Sequence, residues 1–228
     1  IAHELRTPVS NLMTQTQVAL SKARSADQYR EVLYSNLEEY ERLARMIADM
    51  LFLAKADNRL IVPSSEMVNL ATEVRELFDF YEVFAEEQGV SLALAGAGVV
   101  LGDRLMIRRA LSNLLSNAIR HTTHGGSVKV LIDRRNSGET RLTVENPGED
   151  IAPEHLPQVF DRFYRVDRSR QKASEGAGLG LAITKSIVEA HKGTIRIFSA
   201  NGSTRLEMTL PAAGPDFDAV RPQHGRQT

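Results

Sequence analysis

The first 57 residues contain no glycine and a single proline, Pro8. A stretch of that length rich in Leu, Ala, Glu, Arg and Met is dominated by good helix formers. Within it, Ser25 and Gln28 stand at capping-box spacing, which predicts a helix start just after Ser25 and a turn over the polar residues 21–25. Beyond that point Leu33, Leu37, Tyr40, Ala44, Ile47, Leu51 and Ala54 recur at alternating steps of four and three, a heptad seam. The preceding helix carries Ile1, Leu5, Leu12 and Ala19 on a similar stripe. Two such helices cannot bury both faces by themselves. The expectation is a hairpin over residues 1–57 that dimerises into a four-helix bundle.

After a linker at 58–65 the texture changes to a mixed α/β pattern over residues 66–213. Residues 90–94, 127–132, 140–144, 194–197 and 204–210 read as strands, most of them alternating. Helical stretches fall near 67–88, 103–121 and 179–191, which predicts helices covering one face of a sheet. Residues 214–228, rich in Gly, Pro and polar types, read as a disordered tail.

Bulk properties exclude several functions. A formal net charge of -1 offers no pull toward nucleic acid. The absence of cysteine removes disulfides and thiolate chemistry. No run approaches the roughly 18 apolar residues of a membrane span. The start, Ile1-Ala2-His3-Glu4-Leu5-Arg6, has neither an apolar signal region nor an initiator Met, and reads as a piece whose upstream part lies elsewhere.

Five constellations carry chemistry. His3 lies about 200° around a helix from Ile1 and from Leu5, and so faces away from the seam. Neutral imidazole is a nucleophile near pH 7; Glu4 can accept from its Nδ1–H and leave Nε2 free to attack. Thr7, one turn later, could hold a water there. Alone, His3 reads more readily as a surface histidine than as a nucleophile. Asn113, Asn117 and Arg120 share one helical stripe at i, i+4 and i+7, with Ile107, Leu111 and Leu114 among the residues of the buried side. Such a stripe can serve a hydrated Mg²⁺ and phosphate oxygens, or be a solvated face.

Asn146-Pro147-Gly148 leaves a strand in turn chemistry and could present an amide to a purine edge. Phe160-Asp161-Arg162-Phe163-Tyr164-Arg165 sets aromatics among charges, and Arg165 could neutralise a transferring phosphoryl group. Gly176-Ala177-Gly178-Leu179-Gly180 opens an amphipathic helix, where backbone N–H groups favour anions. The polar stretch 168–175 before it reads as a lid. No G-x-x-x-x-G-K-[ST] occurs, so a P-loop is excluded. His121 and His124 stand at i, i+3 by the Asn-rich helix and could pair on one face, but read as structural or surface residues.

In their order, His3-Glu4-Leu5-Arg6-Thr7-Pro8, the Asn-rich helix, the strand-end turn, the Phe-Tyr-Arg segment and the glycine run resemble the H, N, first glycine, F and second glycine boxes of sensor histidine kinases. The resemblance covers residues 1 to about 211. It implies a dimerisation and phosphotransfer hairpin followed by an α/β-sandwich ATP-binding domain of GHKL type. It implies ATP and Mg²⁺ as substrate and cofactor, a homodimer, and the receiver domain of a response regulator as partner. It also implies anchorage at the cytoplasmic side of a bacterial inner membrane through an upstream segment.

By that pattern His3 is phosphorylated, Glu4 assists, and Thr7 supports dephosphorylation of the partner. Asn117 holds Mg²⁺, and Asn113 and Arg120 lie near the phosphates. Tyr164 lies by the nucleotide and Arg165 near the γ-phosphate, while Gly176, Gly178 and Gly180 shape the lid hinge. The first glycine box departs from its usual D-x-G-x-G: aligned on Gly148, Asn146 replaces the Asp and Asp150 the second Gly. An Asn carbonyl still accepts from the adenine amino group but without the charge-assisted part of the contact. Glu145 to Gly148, Phe160 to Asp167 and Ile187 to Gly193 are similar to the heavy-metal (copper/silver) sensor branch, which implies a metal-ion response. A phosphatase-dominant or weakly active scaffold member, or another GHKL ATPase, is the alternative.

Overall fold

The computed structural model describes residues 2–135, 138–166 and 177–213. Helix α1 (Ala2–Leu20) and helix α2 (Ala26–Asp57) form the hairpin. The turn between them ends at a complete capping box. Gln28 N–H donates to Ser25 Oγ, and Ser25 N–H donates to Gln28 Oε1, both at 3.2 Å. Leu12 and Ala19 are buried in the hairpin, and Asn36 Nδ2 donates to Thr16 Oγ1 at 3.3 Å between the helices.

The heptad stripe lies elsewhere. Leu33, Leu37, Tyr40, Ile47 and Leu51 are exposed, with Leu33 at 67%. Val9, Met13, Val18 and Leu20 are likewise exposed on α1. A single chain therefore leaves an apolar stripe on each helix in water.

Strand β1 (Glu66–Asn69) pairs antiparallel with β3 (Val99–Gly102) in a small two-stranded sheet. The first residues of the expected 67–88 helix thus belong to a strand. Val68 is 1% exposed in β1, and Asn69 then caps helix α3 (Leu70–Glu87), its Oδ1 accepting from Thr72 N–H at 3.1 Å. Neither β1 nor β3 was anticipated from sequence; four residues each are too short to show a period.

The main sheet contains β2 (Ser91–Gly96), β4 (Ser127–Arg134), β5 (Glu139–Pro147), β6 (Thr194–Ala200) and β7 (Ser203–Pro211), in the order β2-β4-β5-β7-β6. Only β2 and β4 are parallel, and the crossover between them carries helix α4 (Arg104–His121). Helix α5 (Gly180–Ala190) precedes β6. Val128, Val130 and Ile132 alternate along β4 and share a core with Leu142 and Val144 of β5 and with Leu111 and Leu115 of α4. On the other face Arg141 of β5 pairs with Asp133 of β4 at 3.0 Å.

A second core joins the hairpin to the α/β unit. Met46 and Leu53 of α2 pack with Ala110 of α4 and with Leu179, Ile183 and Ile187 at and within α5. Arg109 pairs with Asp49, its guanidinium 4.7 Å from the Phe52 ring centroid, and Arg162 pairs with Asp57. Among the described residues, no helix is long and apolar enough to cross a membrane.

Candidate functional site

Helix α4 organises the site. Asp103 caps it, Oδ1 accepting from Met106 N–H at 3.0 Å. Its Oδ2 accepts from the hydroxyl of Ser64 at 3.0 Å and from Ser64 N–H at 3.3 Å, which ties the linker to the helix start. The Asp103 N–H donates to Nε2 of buried His191, whose Nδ1 lies 2.7 Å from Ile187 O. Burial pushes the Asp103 carboxyl up, but the donors from Met106 and Ser64, with His191 nearby, outweigh it and hold the group below its ordinary range.

A depressed carboxyl adds stability above its unfolded pKa, about 3.9, that is lost as pH falls through the lower folded value. Asp103→Ala is expected to cost about 1 kcal/mol in urea unfolding at pH 7. The gap to wild type should narrow only below about pH 3.9; a gap already closed at pH 6 would contradict this account.

The predicted polar stripe runs along α4. Asn113 Nδ2 donates to Gly180 O at 3.1 Å, fastening the middle of α4 to the first turn of α5. Thr184 Oγ1 donates to the same oxygen at 2.9 Å. Asn117, one turn on, is half-buried, and its side chain makes no hydrogen bond among the described residues. Arg120 is exposed at the end of the stripe.

The strand-end turn abuts the C-terminus of α4. Asn146 is 5% exposed, opposite Thr204 in the sheet, with Nδ2 donating to Pro147 O at 3.4 Å. A Cβ on Gly148 would lie 2.5 Å from His121 O, so the glycine permits the contact between turn and helix. Gly148 was expected as part of a chain reversal; its tighter constraint is this backbone approach. His124 packs against Gly89. No group of three or more His, Asp or Glu able to hold a metal occurs among the described residues.

At the other side, Gly178 takes φ +70°, and a Cβ there would sit 3.0 Å from the Phe163 backbone. Phe163 N–H donates to Gly178 O at 2.9 Å. Tyr164 OH is 2.6 Å from His155 Nδ1, and Arg165 is half-buried beside it. The structure thus brings Asn113, Gly178, Gly180 and Tyr164 around the start of α5, with Asn146 and Gly148 at the far end of α4 and Asn117 and Arg120 between.

Gly176 and the predicted lid 168–175 lie outside the described residues. So do the side chains of His3 and Glu4, although their backbone lies in α1. Thr7 is exposed on that helix. Leu5, between His3 and Thr7, packs against the second core. The helix that carries His3 therefore borders the core that α2 shares with α4 and α5.

Sequence reasoning missed Asp103, Ser64, His155 and His191. An Asp directly before a helical pattern is an N-cap signal and was available. His191 bonds to Asp103 far back in the chain and His155 to Tyr164 across a loop, contacts that no local signal marks.

Residues 1–59 match the His Kinase A (phospho-acceptor) domain, and residues 102–214 match the histidine kinase-, DNA gyrase B- and HSP90-like ATPase. The chain belongs to the sensor histidine kinases. Sensor histidine kinase CusS of Escherichia coli strain K12 is 56% identical over 216 residues, covering 93% of this chain and 44% of that protein. The probable sensor kinase SilS of Salmonella typhimurium is 47% identical over 218 residues, covering 92% and 43%. This histidine kinase chain thus spans less than half the length of these curated relatives. Among solved structures, the Acinetobacter baumannii histidine kinase AdeS superposes with a TM-score of 0.77 at 25% identity, covering 94% of this chain and all of that one. The α/β unit is an ATP-binding fold of the GHKL type.

Proposed function

We propose that this chain is the kinase core of a two-component sensor: residues 1–57 receive phosphate on His3, 58–65 link, and 66–213 bind ATP. The observation that carries the proposal is the joining of the two matched parts in one chain, where Met46 and Leu53 of the hairpin share a core with Leu179 and Ile183 of the nucleotide unit. His3 Nε2 attacks the γ-phosphorus. The N–P bond forms as the P–O bond to the β-phosphate breaks, ADP leaves, and the ring proton on Nδ1 passes to Glu4.

Asn146 would accept from the adenine amino group, with Gly148 holding that turn against α4. Asn113, Arg120 and Arg165 would face phosphate oxygens, Tyr164 would lie by the nucleotide, and Gly176, Gly178 and Gly180 would allow backbone approach. The half-buried Asn117 amide, unused by the protein among the described residues, suits Mg²⁺, whose charge would neutralise the phosphates. The phosphoryl group would then pass to an Asp of a response-regulator receiver domain, with Thr7 supporting hydrolysis of that aspartyl phosphate to Asp and inorganic phosphate. Similarity to the copper/silver branch supports a metal-ion response, and the greater length of the relatives supports an upstream segment that holds the protein at the inner membrane.

The uncovered stripe at Leu33, Leu37, Tyr40, Ile47 and Leu51 supports a homodimer closing a four-helix bundle. Leu37→Glu with Ile47→Glu is expected to sediment as a monomer at concentrations where the parent is a dimer. A dimer of unchanged stability would remove this face from the interface.

The proposal as a whole is tested by incubation with γ-labelled ATP and Mg²⁺. Label on the chain that is acid-labile and base-stable, and that moves to a receiver domain, is the expected result. Bound ATP with no such label would favour a phosphatase-dominant member.

A further inference from the structure

Phe163 and Gly178 meet in a costly backbone contact. Phe163 has φ +62° and Gly178 φ +70°, and a Cβ on the glycine would press on Phe163 Cα and Tyr164 O. A left-handed aromatic residue costs of order 1–3 kcal/mol and persists only where its surroundings over-determine it. One restraint is the Phe163 N–H to Gly178 O bond; another is the Phe163 side chain packed at the second core. The third is the next residue: Tyr164 OH sits 2.6 Å from His155 Nδ1, with the ring centroids 6.1 Å apart and tilted by 50°, so the contact is a hydrogen bond rather than a stack.

His155 belongs to the segment that leaves the Asn146 turn, and that segment is itself fastened. Gly148 N–H donates to Gly202 O at 3.0 Å, and Gly202 N–H to Asp150 Oδ1 at 2.9 Å. Ile151 N–H donates to Ser199 Oγ and His155 N–H to Ala152 O, both at 2.9 Å. A chain of bonds thus runs from the turn bearing Asn146 through His155 to Tyr164 and on to the glycines that start α5.

We propose that His155 is a positioning residue for the nucleotide reaction: by holding the Tyr164 hydroxyl it braces the Phe163–Gly178 clip and fixes the phosphate side of the site relative to the adenine side. This rests on the nucleotide reading above. The bond needs no particular protonation state, because imidazole Nδ1 accepts from the phenol when bare and donates to it when protonated.

The test is a double-mutant cycle in autophosphorylation, with His155→Leu, Tyr164→Phe and the pair together. Each single change is expected to lower kcat/KM for ATP about fivefold, and the pair no further, because both remove one bond. His155→Gln, which can still pair with the hydroxyl, should recover most of the loss. Thermal midpoints are measured alongside, since a merely structural histidine would lower stability without a non-additive loss in kcat/KM. Additive losses, or single variants that match wild type while wild type binds and turns over ATP, would overturn the brace alone. Wild-type protein that fails to bind a fluorescent ATP analogue would overturn the nucleotide reading and the brace with it.

Discussion

His3→Gln is expected to abolish transfer of label from ATP to the chain while leaving ATP bound. The change is gentle structurally: glutamine is a good helix former, and position 3 lies in the first turn of α1. Chemically it is complete, because an amide nitrogen has no lone pair available to attack phosphorus whereas neutral imidazole does. The fall should exceed about a thousandfold, to the background of the assay, since no second nucleophile replaces the ring. Binding of an ATP analogue should stay within about twofold, because the residues proposed for the nucleotide sit on α4, α5 and the loops around them. Label that persists at wild-type level in His3→Gln, still acid-labile, would move the acceptor to another histidine and end the proposal for His3.

Much of this architecture was legible before any coordinates. The heptad stripe of α2 announced a helix needing a partner, and the structure adds that its apolar positions stay exposed in one chain. The polar stripe Asn113, Asn117 and Arg120 was readable because 3.6-residue periodicity separates it from Ile107, Leu111 and Leu114. Strands β4 and β7 were readable from alternation; β1 and β3 were not, being short and defined by their pairing with each other. The docking of α2 on α5 was also hidden. Met46, Asp49 and Leu53 lie off the heptad stripe, and their partners Arg109, Ile183 and Ile187 lie far along the chain. Glycine roles were half visible. The run at 176–180 suggested backbone approach, but the reason for Gly148 is His121 O on a helix 27 residues earlier in the numbering.

The two amides on α4 separate structure from chemistry most sharply. Asn113 is bound to Gly180 O, so Asn113→Ala removes a hydrogen bond between helices and should cost about 1 kcal/mol of stability as well as activity. Asn117 has no such bond among the described residues and is half-buried on the same stripe. Asn117→Ala should therefore leave the unfolding midpoint nearly unchanged, within about 0.5 kcal/mol. Its effect on phosphorylation should nonetheless be the larger, about a hundredfold or more in kcat/KM, because it removes a hard oxygen donor where phosphate charge must be neutralised. The loss should be eased by raised Mg²⁺ if the amide oxygen holds the ion, and by raised ATP alone if it only orients the nucleotide. Urea unfolding and ATP titrations at two Mg²⁺ concentrations decide it. An Asn117→Ala protein active within threefold of wild type would return the stripe to an ordinary solvated face.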